Sequence, residues 1–345
     1  MKKLLIGILV TFSIFAESSS TLSLGSFIDY YYALDSNNPS SRERASFQTQ
    51  PAKHNEFNLN LGFIEAFLKE PERRGRLALQ YGTSVDRNYV AENNKILQTI
   101  QEAYGGIKLS EKLWIDAGIF FSHIGIESFI SKNNINYTRS LNADNVPYYA
   151  SGVRFEYLIN EQKVFQLHIL NGWQNIQENN TSKAIGMKYQ NSSFTYNNFF
   201  GDEKVTTSKS RFRSYHNFIY ERKLDDVWTL QSSFDVGTQS QLENNGINSW
   251  YATSLIIGQK LNAFSDMGYR VEYYLDRHQS NILTDSSNGF QVVSASANFD
   301  RNLSKDTNWR SEVRSFYSKD GIFPEGRRSL SRWDGLLVTS LGISF

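Results

Sequence analysis

The chain has 345 residues, no cysteine, and 36 basic against 35 acidic residues. Lack of cysteine excludes a disulfide framework and a thiolate metal site, and the even charge excludes the basic excess of a nucleic-acid binder. Beyond its first residues the chain holds no apolar run long enough for a transmembrane helix, yet it carries 24 Phe and 19 Tyr, which fits hydrophobicity spread along alternating strands.

Residues 1–20 predict an export signal, with Lys2 and Lys3 before an apolar core over residues 4–15 and small residues marking a cleavage point within 16–20. Residues 21–345 then form one unit. From Thr21 the even positions Leu22, Leu24, Ile28, Tyr30, Tyr32 and Leu34 share one face and Asp29 lies on the other, the period of a strand. Polar residues 35–54 read as a loop. The second strand places Phe57, Leu59, Leu61, Phe63 and Phe67 outward, with Glu65 among them, against Glu56, Asn58 and Asn60. Leu77, Leu79, Tyr81 and Val85 mark a third strand, and Ile107 and Leu109 a fourth, whose opposite face carries Glu102.

The clearest signal is a fifth strand with Leu113, Ile115, Ala117, Ile119 and Phe121 on one face and Asp116 on the other, then a long link over 122–147. A sixth strand returns with Val153, Phe155 and Tyr157 opposite Arg154 and Glu156. The pattern continues through Phe165, Ile185, Tyr196, Phe218, Phe234, a weak strand near Trp250, then Tyr269, Val293, Trp309 and Leu341. Ser214 and His216 fall on the apolar face of the tenth strand, through a bulge or a misread register. About sixteen strands result, fourteen or eighteen if one hairpin is missed or invented, with long links and tight turns alternating as in a membrane barrel.

The fold class expected is therefore an all-β, antiparallel up-and-down transmembrane barrel with short periplasmic turns and long extracellular loops. Closure pairs every backbone group, as a bilayer requires. The inward positions give the candidate pore lining: Asp29, Glu56, Asn58, Glu102 and Asp116 early, then Arg154, Glu156, Arg213, Asp235, Arg270, Glu272, Arg310 and Arg314. An acidic early wall facing a basic late one, Arg211 included, would set up a transverse field favouring dipolar solutes; solvated or locally paired charges are the plainer alternative. The link over 122–147 mixes Ile124, Ile126, Phe129 and Ile130 with His123, Glu127, Lys132, Arg139 and Asp144. Such a loop is expected to fold into the lumen as a constriction, with Arg139 and Asp144 facing wall charges, or else to pack over the rim.

The histidines His54, His123, His168, His216 and His278 make no metal-binding spacing, and neither a G-x-S-x-G elbow nor a phosphate loop is present. The stretches KHNEFNLNLGFIEA, QEAYGGIKLS, WIDAGIFFSHIGIES, YTRSL with PYYASGV, and LNGWQ, densest between Lys53 and Gln174, together resemble the OmpL-like β-barrel porins. That resemblance implies an outer-membrane porin of a Gram-negative-type bacterium, a passive water-filled channel for small hydrophilic solutes, without a cofactor. The ending LGISF, closing on Phe345, resembles the signal read by the outer-membrane barrel assembly machinery, a transient partner. Membrane lipid is the permanent surrounding and a homotrimer an open alternative to a monomer. The competing readings are a surface adhesin or ligand-binding barrel, and more remotely a barrel hydrolase.

Overall fold

The computed structural model describes residues 21–205, 209–242 and 246–345, so the expected export signal lies outside the described residues. The strands are β1 (Thr21–Asp35), β2 (Phe57–Lys69), β3 (Arg73–Tyr81), β4 (Ile100–Ser110), β5 (Leu113–Phe121), β6 (Tyr149–Asn160), β7 (Lys163–Leu170), β8 (Ala184–Gln190) and β9 (Phe194–Lys204). They continue as β10 (Ser210–Lys223), β11 (Trp228–Ser240), β12 (Ile247–Asn262), β13 (Ser265–Asp276), β14 (Phe290–Asn302) and β15 (Thr307–Ser318), then a small hairpin of β16 (Phe323–Glu325) and β17 (Ser329–Ser331), and β18 (Trp333–Ser344). All except the hairpin form a closed antiparallel barrel in chain order, β18 pairing β15 and returning to β1 from Phe27↔Ser344 to Asp35↔Leu336. Closure leaves no open sheet edge, the condition for a strand assembly to survive in hydrocarbon. No helix of the described residues is long and apolar enough to cross a membrane; the strands are the crossing elements.

Alternation sets the two faces. Along β1 Leu22, Leu24, Ile28 and Tyr30 are exposed on the outside, while Phe27, Asp29, Tyr31 and Ala33 are enclosed. β12 gave a weak sequence signal because both of its faces are apolar: Trp250, Ala252 and Ile256 are buried inside, Tyr251 and Leu255 exposed outside.

Four local expectations are corrected. In β2 the pairing steps from Tyr30↔Leu59 to Asp29↔Leu61, leaving Asn60 unmatched, and this extra residue reverses the alternation. Leu61 and Phe63 are therefore enclosed, Phe63 lying 5.9 Å from Phe27, and Phe67 pairs with the inward Arg76. Glu65 likewise turns inward, 2.5 Å from Arg76, and Ile64 takes the outer face. Val85 does not extend β3; it is buried in the short helix α1 (Thr83–Asn88), which precedes a second turn of helix, α2 (Lys95–Gln98). Ile119 and Phe121 do not meet lipid: Ile119 is buried, and Phe121 packs on Phe129 at 6.3 Å with Arg76 above its ring.

The fourth correction concerns β10, whose register runs without a bulge, so Ser214 and His216 do face outward. Their polar atoms are satisfied sideways instead: His216 Nδ1 lies 2.7 Å from the Tyr196 hydroxyl and Nε2 3.2 Å from Ser214 Oγ. The alternation of long and short links also has exceptions, since those after β9 and β11 span only 205–209 and 241–246.

Where the longest link leaves the wall, Gly118 of β5 pairs with Gly152 of β6. Gly118 has φ 135°, and a Cβ there would stand 2.2 Å from the Ala103 carbonyl oxygen; at Gly152, φ 156°, it would stand 2.0 Å from that of Ile169. Glycine is what lets β4 to β7 approach so closely at this level. Gly118→Ala should therefore destabilise the barrel by about 1–3 kcal/mol, read as a lower urea midpoint of tryptophan fluorescence in detergent micelles.

Candidate functional site

Inside the barrel lies the connection between β5 and β6. It leaves Phe121, sets His123 Nε2 2.8 Å from the Asn198 carbonyl on β9, and receives Asn217 of β10 at the Gly125 amide. A single 3-10 turn (Ser131–Asn133) then brings Ser131 Oγ to Asp29 at 2.7 Å and Lys132 Nζ to Ser344 Oγ at 2.7 Å. Since Ser344 ends β18, the loop reaches the short-turn mouth, where Lys132 to Ile135 line a cavity of about 550 Å³ with Lys223, Lys260, Asp266 and Asp300. The chain climbs back through α3 (Leu141–Asp144), capped by Ser140.

The return limb is held by charge. Thr138 donates from its amide (2.7 Å) and hydroxyl (2.9 Å) to Glu312 of β15, while Arg270 of β13 donates to the Thr138 carbonyl at 2.6 Å. Arg270 also faces Glu127 (3.2 Å), Glu312 (3.1 Å) and Glu272 (3.5 Å), with its side chain 0 % exposed. Arg314 binds Glu272 and donates to the Arg139 carbonyl at 2.8 Å; Arg310 bridges Asp300 (2.7 Å) and the carbonyls of Ser131, Asn134 and Ile135. Asn142 reaches Asp235 at 3.2 Å, and Arg213 lies between Trp173 and Trp250, donating to Gln239.

The other half of the wall keeps water. Asp116 is clamped by Arg74 (2.7 Å) and Arg154 (2.6 Å), Glu156 pairs with Arg74 at 2.9 Å, and Glu102 pairs with Arg76. Arg74, Arg76, Arg154 and Glu156 face inward yet remain partly exposed, so the solvent they touch is in the lumen. Glu56 and Asn58 lie near the other mouth, bonded to each other at 2.6 Å.

This arrangement removes the expected transverse field. The late-wall arginines Arg270, Arg310 and Arg314 are neutralised beneath the loop, and the early-wall acids by Arg74, Arg76 and Arg154. Arg74 and Arg76 were missed because their stretch reads as a charged turn; continuing the alternation back from Leu77 and Leu79 would have found them. Lys188, between Met187 and Tyr189, was legible in the same way. Of the two, Asp144 lies within the field of Arg314 on the wall but makes no direct bond to it, while Arg139 stacks on Tyr148 at 4.0 Å and stands 3.9 Å from Asp144. Asp144 instead accepts from Thr49 at 2.7 and 3.1 Å, joining this loop to the link between β1 and β2, which also folds inward through Arg44 to Asp35 and Asp334.

Burial pushes the Asp144 carboxyl up, opposed by Arg139 and the Thr49 bonds. The His123 imidazole is pulled down to about 4, chiefly by burial, with Lys188 and Arg154 acting the same way against the Asn198 bond. It stacks at 4.1 Å on His168 of β7. Among the described residues no group of three or more His, Asp or Glu could hold a metal ion.

A closed barrel with the connection between β5 and β6 folded inward and a wet charged wall is the architecture of an outer-membrane porin. Solved structures share the fold: an anion-selective porin from Comamonas acidovorans (TM-score 0.60, 7% identity, covering 95% of this chain and 100% of that one). In-vitro folded OmpT of Vibrio cholerae in its trimer form (0.61, 7%, 94% and 99%) and Salmonella typhi OmpF in complex with daunomycin (0.56, 11%, 94% and 97%) do so as well. No curated protein matches in sequence. The family described as "Putative beta-barrel porin-2, OmpL-like" matches residues 21–345, and the chain belongs to it: it is an outer-membrane β-barrel porin.

Removing the Arg270 side chain leaves Glu127, Glu272 and Glu312 short of a buried counter-charge. Arg270→Ala should lose about 3–5 kcal/mol of stability and open the buried Arg139 peptide bond to trypsin in the folded protein, detected by mass spectrometry of the fragments. The His123 shift fixes a second expectation. Its docked form resists protonation, so its contribution to loop docking is complete above about pH 6.5 and declines as pH falls toward 4. Channel noise should rise over that interval, and His123→Phe should flatten the dependence.

Proposed function

We propose that the protein is a passive, narrow conduit for small hydrophilic solutes rather than a catalyst, its path running between the inward-folded loop and the wall of β3 to β8. The observation that carries this reading is the partial exposure of inward charges: the side chains of Arg74, Glu156 and Arg154 remain 19, 17 and 16 % accessible inside a wall that seals them from lipid. A lumen that keeps such groups wet passes polar solutes, and barrels of this size enclose aqueous space. With opposed charges paired across short distances, selection falls to width and local polarity rather than to a field across the pore.

In the same reading three copies associate, as in the trimer form of OmpT. The β2 irregularity supports a contact face by turning Gly62 and Ala66 outward, where a shallow apolar groove of about 450 Å³ runs past Leu24, Gly25, Ala66 and Leu77 to Phe345. Phe345, 74 % exposed, is the assembly signal of this proposal, offered to the assembly machinery during insertion and to lipid afterwards.

Reconstituted protein should give stepwise single-channel conductance and liposome swelling that falls steeply with sugar size. Excising residues 131–136, the segment that reaches the short-turn mouth, should raise unit conductance severalfold; an unchanged value would remove the loop from the constriction. No conductance together with ligand binding by the outer connections would mark an adhesin instead.

A further inference from the structure

Between the first limb of the inward loop and the wall of β8 lies a cavity of about 240 Å³, bordered by Phe121 to Phe129, Arg139, Pro147, Tyr148 and Lys188. Its polar groups are incompletely satisfied. Arg139 is buried, and its Nε and Nη1 have no hydrogen-bond partner, although Asp144 stands 3.9 Å from Nε; the Nδ1 of buried His123 has none either. Buried nitrogens of this kind call for a partner that the protein itself does not supply.

Lys188 adds an uncommitted cation. The register sets it beside Gln166 and Asn197, both uncharged. The charges that act on it are those of Arg154, Glu156 and Glu221, yet it makes no ion pair or side-chain hydrogen bond with a described residue. The one carboxylate bordering the cavity, Glu127, is already engaged by Arg270 and by the Ser140 amide at 2.7 Å. Arg139 is offset by Asp144 and Glu127 by Arg270, so Lys188 is left as the charge without a close partner, where water is restricted and charge is felt strongly.

We propose that this cavity is a binding subsite for a small organic carboxylate, a station on the path of the pore proposed above. The volume exceeds what a halide fills. The guanidinium of Arg139, set 4.0 Å from the Tyr148 ring centre, has the planar donor geometry that matches a carboxylate, and Lys188 supplies a second charge on a flexible stem. His123 Nε2 faces a carbonyl and carries the proton, which leaves Nδ1 as an acceptor for a hydroxyl on the same solute.

The full-length protein in detergent, titrated calorimetrically with sodium lactate, should bind it. Lys188→Gln should weaken binding about tenfold, and Lys188→Arg should restore most of it. In planar bilayers lactate should lower the chloride conductance at the concentrations that fill the site. Lactate affinity unchanged in Lys188→Gln, or no binding by the unaltered protein, overturns the subsite. Lys188-dependent binding without stepwise conductance leaves the subsite standing and overturns the pore, whereas conductance without lactate binding does the reverse.

Discussion

Arg270 is enclosed completely, and a guanidinium removed from water has to be met by negative charge and hydrogen-bond acceptors. Two of its carboxylates, Glu272 and Glu312, come from the wall; the third, Glu127, and the Thr138 carbonyl are carried in by the loop. The wall's guanidinium donors are thus incompletely bonded once covered unless the loop docks, and the loop's buried backbone is incompletely satisfied until it meets Arg270, Arg310 and Arg314. Neither part reaches a low free energy without the other. This mutual requirement fixes where the connection from β5 to β6 lies, and with it the shape of the remaining lumen.

From that requirement the two halves of the wall acquire different roles. β10 to β15 spend their inward polar groups on the loop: Asp235 on Asn142, Glu312 on Thr138, Arg310 on the carbonyls around Ile135. β3 and β6 keep partly exposed inward charges, with Arg74 and Arg154 converging on Asp116, and Lys188 of β8 makes no ion pair with a described residue. Solute encounters a corridor whose arginines and carboxylates are already paired, so an unpaired lysine such as Lys188 has influence there that it would not have in a wall of free charges. The first link is tied to the loop through Thr49 and Asp144, so the two inward connections brace each other.

The barrel was legible because alternation is written in each strand separately. Leu113 to Phe121 declares its period without reference to any neighbour, and closure follows from the bilayer. What stayed hidden depends on pairing. One unmatched residue, Asn60, exchanges the faces of Leu61, Phe63 and Glu65, and nothing inside β2 announces it, since either face is apolar enough to be the outer one. The arginines of the late wall were found as inward residues, but their role was not: sequence shows that Arg270 and Arg314 are basic and inward, not that Glu127 and Glu272 will meet them. The early wall failed for a simpler reason, that RRGR reads as a turn when it is already strand. Arg139 and Asp144 were expected either in the lumen or over the rim, and their partners, Tyr148 and Thr49, lie in connections whose path no periodicity describes.

An apolar anchor would also hold a loop inside a barrel, and the choice of ionic groups has a physical reason. The inner wall exists in two environments, open to water before the loop folds in and covered afterwards. A wall built of leucine would be stable only in the covered state and would expose a greasy lumen during assembly, an invitation to collapse or to pairing with other chains. Arginine and glutamate are soluble in the first state and mutually satisfied in the second, so the barrel can close before its interior is complete. Geometry adds a further constraint, because a guanidinium accepts partners only in fixed directions. Arg270 and Arg310 therefore hold Thr138 and the 131–135 carbonyls at defined points on the wall, where a hydrophobic surface would allow the loop to slide and the corridor to change width.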